Sequence, residues 1–107
     1  MQFEKLYKVD KINRFTIPQI IRKKFNISCE TELSISVVNG EIVIEKIVEN
    51  VGVVGTVRTI DNLGRVVISK RLLSKANIKS GSNAIVVLED NNSSVLKMYI
   101  KAISPRW

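Results

Sequence analysis

The sequence predicts a mainly β protein with two short helices, made of two β-β-α-β-β repeats that close one shared β-barrel. Three observations lead to this prediction. Short β-branched runs alternate with turn residues, an Asn-Gly pair marks a hairpin, and one stretch of the chain recurs 51 residues later. A unit of about fifty residues buries little apolar surface by itself, so two packed copies would give the duplication a structural use.

The recurring stretch covers residues 9–27 and again residues 60–78, without a gap. Six positions are identical between the copies, and a list of them shows the constant offset: Asp10 and Asp61, Arg14 and Arg65, Ile17 and Ile68, Lys24 and Lys75, Asn26 and Asn77, Ile27 and Ile78. This pattern indicates an internal duplication, with residues 1–50 as the first repeat and residues 51–107 as the second.

In the first repeat, strands are predicted over residues 4–9 and 14–17, joined by a polar turn. Pro18 lacks an amide hydrogen and has a fixed φ, which suits the first position of a helix over residues 18–25. Ile21 and Phe25 should face the core from that helix. A hairpin follows, because alternating apolar residues flank the Asn39-Gly40 pair on both sides.

The arms of that hairpin are residues 33–38, with Leu33, Ile35 and Val37 on one face, and residues 41–47, with Ile42 and Ile44 on one face.

In the second repeat, Ser69 is predicted to cap a helix in which Leu72 and Ala76 share one face. Gly52 and Gly55 suggest bends in the preceding strand. The remaining predictions are strands over residues 51–60, 66–68, 83–89 and 95–103, turns at 61–64 and 79–82, a loop at 90–94 and a tail at 104–107.

The net charge of +7 is unevenly distributed along the chain. Residues 5–24 carry seven Lys or Arg against one Asp, and residues 58–79 carry six against one, so the rest of the chain is net negative. Cations are therefore concentrated in the turn-and-helix part of each repeat. Two equivalent basic patches favour a polyanionic partner, with the phosphate backbone of nucleic acid as the first candidate.

Several other classes of protein are disfavoured. No apolar run has the length of a membrane span and no signal-peptide pattern is present, so we expect a cytoplasmic protein without a membrane partner. The single cysteine, Cys29, fits a reducing compartment and is interpreted as a small residue near a turn. The chain lacks histidine, a phosphate loop and metal-ligand spacing, so neither an enzyme nor a cofactor or metal site is expected.

These residues carry a resemblance to a known family. The order of a polar turn, Leu-Gly-Arg-Val-Val-Ile, a basic helix ending in Asn-Ile and a hairpin resembles the AbrB/SpoVT family of swapped-hairpin DNA-binding domains, to which MazE-type antitoxins are related. The likeness is closest over residues 57–88 and extends to residues 9–46. It implies a pseudo-dimer in one chain, with hairpins interleaved into a barrel, and a prokaryotic-type transcription regulator bound to double-stranded DNA in the nucleoid.

The resemblance also implies where DNA contacts lie: in the first strand, after the first turn and in the helix. The candidate DNA-binding residues are Lys8, Lys11, Arg14, Arg22, Lys23, Lys24, Arg58, Arg65, Lys70, Arg71 and Lys75. Arg14 and Arg65 are the best candidates for reading bases, because a guanidinium offers a planar fork that lysine lacks. Gln19 and Asn13 are either base readers or solvent-exposed turn residues, and Asp10 and Asp61 are interpreted as turn formers.

A MazE-like antitoxin, binding DNA with this domain and a toxin with its tail, is the alternative function. The few residues after the last predicted strand are neither acidic nor extended, so a toxin partner is not favoured. Association of several pseudo-dimeric chains into a homo-oligomer is compatible with the sequence. The halves also differ, since Tyr7 occupies the position of Arg58, and unlike halves would suit an imperfectly palindromic target.

Overall fold

The structure, a computed structural model, describes residues 3–48, 55–88 and 96–103 and is mainly β with two short helices, as predicted. In chain order, the elements are β1 (Phe3–Lys8), β2 (Arg14–Thr16), α1 (Gln19–Lys24), β3 (Leu33–Val38), β4 (Glu41–Lys46), β5 (Thr56–Arg58), β6 (Arg65–Val67), α2 (Lys70–Lys75), β7 (Asn83–Leu88) and β8 (Lys97–Ala102).

Six strands form one antiparallel sheet in the order β1-β7-β8-β4-β3-β5. The hairpins β3–β4 and β7–β8 each belong to one repeat, but the strand added outside each hairpin comes from the other repeat. Thus β1 pairs with β7 and β5 pairs with β3. Among the described strands the sheet ends at β1 and β5 without closing, so the predicted closed barrel is not confirmed.

The remaining two strands form a separate two-stranded ribbon in which β2 of the first repeat pairs antiparallel with β6 of the second. Phe15 lies opposite Val66 at its centre. The ribbon also joins each helix to the other repeat: the Ile17 amide donates to the Gly64 carbonyl at 2.9 Å, and the Ile68 amide donates to the Asn13 carbonyl at 2.8 Å. These two bonds are equivalent under the 51-residue offset and give the centre of the molecule a local pseudo-twofold symmetry.

One hydrophobic core lies between the ribbon, the helices and the sheet. Phe15 and Val66 are fully buried, as are Ile17 and Ile68 in the segments that lead into the helices. Tyr7 packs against this core, with its ring edge-on to Phe15 and the ring centroids 6.1 Å apart. Both repeats contribute to the same buried cluster, and one face of the ribbon packs against it. The opposite face of the ribbon lies toward solvent.

The first helix is one residue shorter at each end than predicted. The first helix was predicted over residues 18–25, but Pro18 occupies the N-cap position and the helix covers Gln19–Lys24. Ile21 and Phe25 are buried, as predicted. The Ser69 hydroxyl accepts a hydrogen bond from the Leu72 amide at 3.2 Å, which confirms the predicted cap of α2.

The first hairpin also follows its sequence signals. Asn39 and Gly40 have φ angles of 52° and 76°, as the predicted tight turn requires. Leu33 and Ile35 are buried on β3, and Ile42 and Ile44 are buried on β4. Val43 is buried as well, so β4 is covered on both faces rather than on the single face that was predicted.

Several strand boundaries differ by one or two residues from prediction. The strand predicted over residues 4–9 covers Phe3–Lys8, with an isolated bridge at Val9. The strand predicted over 14–17 covers Arg14–Thr16, and the one predicted over 66–68 covers Arg65–Val67. Within the predicted strand over residues 51–60, the structure describes residues 55–60 and the strand covers Thr56–Arg58. Gly52, the loop at 90–94 and the tail at 104–107 lie outside the described residues.

Neither of the two helices in the described part of the chain, each six residues long, has the length and apolar character needed to cross a membrane.

Candidate nucleic-acid interface

The solvent face of the β2–β6 ribbon is formed by two arginines and two smaller side chains. Side chains alternate across a strand, and the buried pair Phe15 and Val66 therefore leaves the residues on either side pointing outward. Arg14 lies opposite Val67, and Thr16 lies opposite Arg65. The two arginines are consequently diagonal neighbours on one face, with backbones roughly 7–8 Å apart.

Each arginine is oriented by an aspartate four residues earlier. Asp10 accepts the backbone amides of Ile12 and Arg14 on Oδ1, at 3.0 and 2.8 Å, and the Nε of Arg14 donates to its Oδ2 at 2.7 Å. Asp61 makes the equivalent hydrogen bonds in the corresponding turn of the second repeat. It accepts the amides of Leu63 and Arg65, both at 2.9 Å, and the Arg65 Nε at 2.6 Å.

The two carboxylates are therefore turn formers, as predicted, but they also fix the direction of the guanidinium groups. Hydrogen bonding from the Arg14 backbone amide is the main reason that the pKa of Asp10 lies below its ordinary value. Partial desolvation opposes this, while the Arg14 side chain and the Ile12 amide add to it. The pKa of Asp61 is lowered by the equivalent groups, with the Arg65 amide first. Both aspartates thus stay ionised and keep their arginines engaged through Nε.

Arg22, a predicted DNA contact, has an internal role in the structure. It is half-buried, its Nε donates to the Ile17 carbonyl at 2.9 Å, and its guanidinium covers Gly64 of the other repeat. A Cβ at Gly64 would lie 2.5 Å from Cζ of Arg22. The equivalent residue, Leu73, is buried. This helical position therefore faces inward, and the leucine at the equivalent position was the available signal.

The other helical candidates are exposed. Lys23 and Lys24 lie in the last turn of α1, and the Lys24 ammonium is 5.7 Å from the centre of the Phe25 ring. On α2 the exposed cations are Lys70, Arg71 and Lys75. Because β2 and β6 are antiparallel and each is followed by its helix, α1 and α2 leave the ribbon at opposite ends.

Two further candidates border a cleft beside one end of the ribbon. Lys8 ends β1 and Lys11 lies at the tip of the first turn, and both are exposed. With Arg14 they line an open cleft of about 410 Å³, which Asp10 and Ile12 complete. Arg58 ends β5, exposed, next to the second turn in the chain.

Two features of the interface were missed from the sequence. The first is the role of Asp10 and Asp61 in holding the arginines, although the i,i+4 pairing of acid and base in both copies was a usable signal. The second is the outward position of Thr16 and Val67, which follows from strand alternation once the ribbon is known. Gln19 and Asn13 are placed differently: Gln19 is exposed on α1, whereas Asn13 accepts a hydrogen bond from the Ser80 hydroxyl.

Comparisons of this chain with protein-family models, with curated proteins and with solved structures found no match.

Proposed function

We propose that this protein binds double-stranded DNA sequence-specifically and acts as a transcription regulator of the AbrB/SpoVT type. One observation carries the proposal: Arg14 and Arg65, which come from different repeats, lie on the same solvent face of one two-stranded ribbon. A two-stranded β-ribbon has the width to enter the major groove of B-DNA. Arginines on the ribbon face would then meet base edges.

The hydrogen bonds of the arginines support a role in reading bases. Asp10 and Asp61 accept from the Nε atoms, and the two terminal nitrogens of each guanidinium carry further N–H donors. Two parallel N–H groups match the O6 and N7 acceptors of guanine. A pre-oriented side chain also loses less conformational freedom on binding than an untethered one.

The surrounding charge supports a duplex as the ligand. Exposed lysines and arginines of α1 and α2 lie beyond the two ends of the ribbon, where phosphate groups would pass on either side of a groove. Thr16 and Val67 between the arginines offer methyl groups of the kind that contact thymine. The interface thus combines groups suited to bases at its centre with groups suited to phosphates at its margins.

The exchange of strands between repeats supports the assignment to this family. Each repeat contributes its first strand to the outside of the other repeat's hairpin, which is the expected relation in a swapped-hairpin pseudo-dimer. We propose that the closed barrel of that family is the complete form of this sheet.

The test is selection of bound fragments from random and source-genome DNA, followed by titration of the selected duplex by fluorescence anisotropy at several salt concentrations. We expect binding that weakens steeply as salt rises, because each neutralised phosphate releases counterions. Absence of duplex binding, or an affinity that is constant from low to moderate salt, would contradict the proposal.

Replacing Arg14 and Arg65 by Ala then tests base reading. Each bidentate arginine discriminates by about 1–3 kcal/mol, so the double variant should lose roughly thirtyfold or more for the selected duplex and much less for random DNA. Lys101→Ala is the control, because Lys101 lies on β8, which pairs within the six-stranded sheet. Equal losses on both DNAs would reduce the arginines to phosphate contacts.

A further inference from the structure

The interface consists of two composite halves, each made from both repeats. The turn before each ribbon strand contacts the helix segment of the other repeat, through the Ile17–Gly64 and Ile68–Asn13 hydrogen bonds. We name the halves after their helices. The α1 half contains residues 19–31 and 56–65, and the α2 half contains residues 70–82 and 5–14, which are the equivalent positions under the 51-residue offset.

The two halves differ strongly in charge although they are equal in size. The α2 half has eight Lys or Arg and one acid, Asp10. The α1 half has five Lys or Arg and two acids, Glu30 and Asp61. One of those five is Arg22, whose Nε is bonded to the Ile17 carbonyl, whereas the α2 half uses the apolar Leu73 at that position. Without Arg22, the α1 half has four Lys or Arg against eight in the α2 half.

Part of the difference lies at the cleft beside Arg14. Lys8 and Lys11 line this cleft, and their equivalents in the α1 half are the neutral residues Thr59 and Asn62. Both halves keep the ion pair at this place, between Arg14 and Asp10 in the α2 half and between Arg65 and Asp61 in the α1 half. The α2-half cleft consequently presents three cations around one acid, while the equivalent surface of the α1 half presents one cation and one acid.

The neighbouring loop adds to the contrast. In the α2 half, Gly81 lies under the side chain of Lys11, since a Cβ there would be 3.4 Å from Lys11 Cγ. The equivalent of Gly81 is Glu30, an exposed acid, and the adjacent Cys29 thiol donates to Asn62 Oδ1 at 3.5 Å. Thus a glycine borders the lysine stem in one half, and an exposed acid stands at the equivalent position in the other.

We infer that Lys8 and Lys11, on the rim of the cleft beside Arg14, bind a DNA backbone phosphate, and that the α2 half therefore supplies most of the phosphate-dependent affinity. This inference rests on the proposed function. The ribbon reads bases near the centre of the site, and the contact region extends further along the duplex on the α2 side than on the α1 side. A tetrahedral dianionic or monoanionic group is suited to a shallow cleft with ammonium and guanidinium donors on its rim.

The test compares the unmodified protein and two variants on one selected duplex. For each protein, the logarithm of the association constant K is measured against the logarithm of the salt concentration. Lys8→Thr/Lys11→Asn gives the α2-half cleft the residues of the α1 half, and all four positions involved are exposed, so the fold should be retained. The matched control is Lys97→Thr/Lys101→Asn, which removes the same charge from β8 outside both halves. Loss of one phosphate contact should reduce the slope by about 0.9 in the cleft variant, against little change in the control.

The outcomes separate the two proposals. If the unmodified protein binds no duplex, the proposed function fails. If it binds but the cleft variant keeps its slope, or if cleft variant and control lose the same amount, the cleft is overturned and the function stands. Titrations in which inorganic phosphate replaces chloride at equal ionic strength distinguish the source of the anion. If millimolar phosphate abolishes the difference between the proteins, the cleft is a free-anion site and its assignment to the DNA backbone is overturned.

Discussion

The two repeats build their turns identically and their helix interiors differently. Around Asp10 and Asp61 the hydrogen bonds to the following amides and to the arginine Nε agree within about 0.2 Å. One turn into the helix, however, Arg22 covers the opposite turn in one repeat and Leu73 is buried in the other. The aspartate that fixes the turn is thus unchanged between the copies, whereas the helix position that faces inward accepts an arginine in one copy and a leucine in the other.

The helix C-termini show the same contrast. In the first repeat, the Lys46 ammonium donates to the Phe25 carbonyl at 2.8 Å, just after α1. The strand register makes Ala102 its counterpart, because Lys46 pairs with Leu33 and Ala102 pairs with Ala84, and these partners are 51 residues apart. The alanine leaves a cleft of about 600 Å³ beside Asn77 and Ser82. The strand pairing is therefore the same in both repeats, although the side chain beside the end of the helix is a hydrogen-bonded lysine in one and an alanine in the other.

The largest predicted effect tests the centre of the ribbon, where Phe15 and Val66 are equivalent and fully buried. Phe15→Ala should lower the free energy of unfolding by about 3–5 kcal/mol, and Val66→Ala by about 2 kcal/mol, because less apolar volume is lost. Urea unfolding followed by circular dichroism measures both. Equal losses would contradict the prediction, because Val66 would then contribute as much to stability as the larger Phe15.

A smaller effect is expected from exchanging residues between the repeats at Gly64. Asn is acceptable at the equivalent Asn13, where φ is 66°, but a side chain at Gly64 would displace Arg22 and its bond to Ile17. Gly64→Asn should therefore cost about 1–2 kcal/mol of unfolding free energy.

The control is a double-mutant cycle with Arg22→Leu, the residue of the other repeat. Once Arg22 is shortened, Gly64→Asn should cost much less, giving a coupling energy of about 1 kcal/mol. Additive effects would mean that Arg22 and Gly64 are energetically independent despite their contact.

The smallest effect is a pH dependence that should be shared by the two repeats. Because folding lowers the pKa of Asp10 and Asp61 below the ordinary value of 3.8, their contribution to stability is present above that pH. It is lost as the pH falls through the lowered pKa values, when the carboxylates take up protons. Urea unfolding from pH 7 to pH 2.5 should show this loss, and Asp10→Asn/Asp61→Asn should reduce it. An unchanged pH profile in that variant would show that other acids are responsible.

Local chemistry was sufficient to predict much of the fold. Asn39-Gly40 formed its turn, Ser69 capped α2, and Ile21 and Phe25 faced the core, because each depends on residues close in sequence. Pro18 was misplaced by one position, since both the N-cap and the first helical residue tolerate its missing amide hydrogen.

Long-range relations were harder to obtain from the sequence. The pairing of β1 with β7 and of β5 with β3 depends on tertiary context, which no local pattern encodes. The direction of Arg22 is another example, because a basic residue near the end of a helix is ordinarily solvated. For the candidate site, the sequence singled out Arg14 and Arg65 among the cations, but it did not separate the cleft lysines from the internally bonded Arg22.

The partner exchange between repeats also affects how the chain can be made. Lys8 pairs with Asn83 and Phe3 with Leu88, so β1 is synthesised long before β7, the strand with which it pairs. During translation, the edge of β1 remains without this hydrogen-bonding partner until β7 has emerged from the ribosome. Contacts of such large sequence separation slow folding, which makes completion of the second repeat the event that commits the whole protein to its native state.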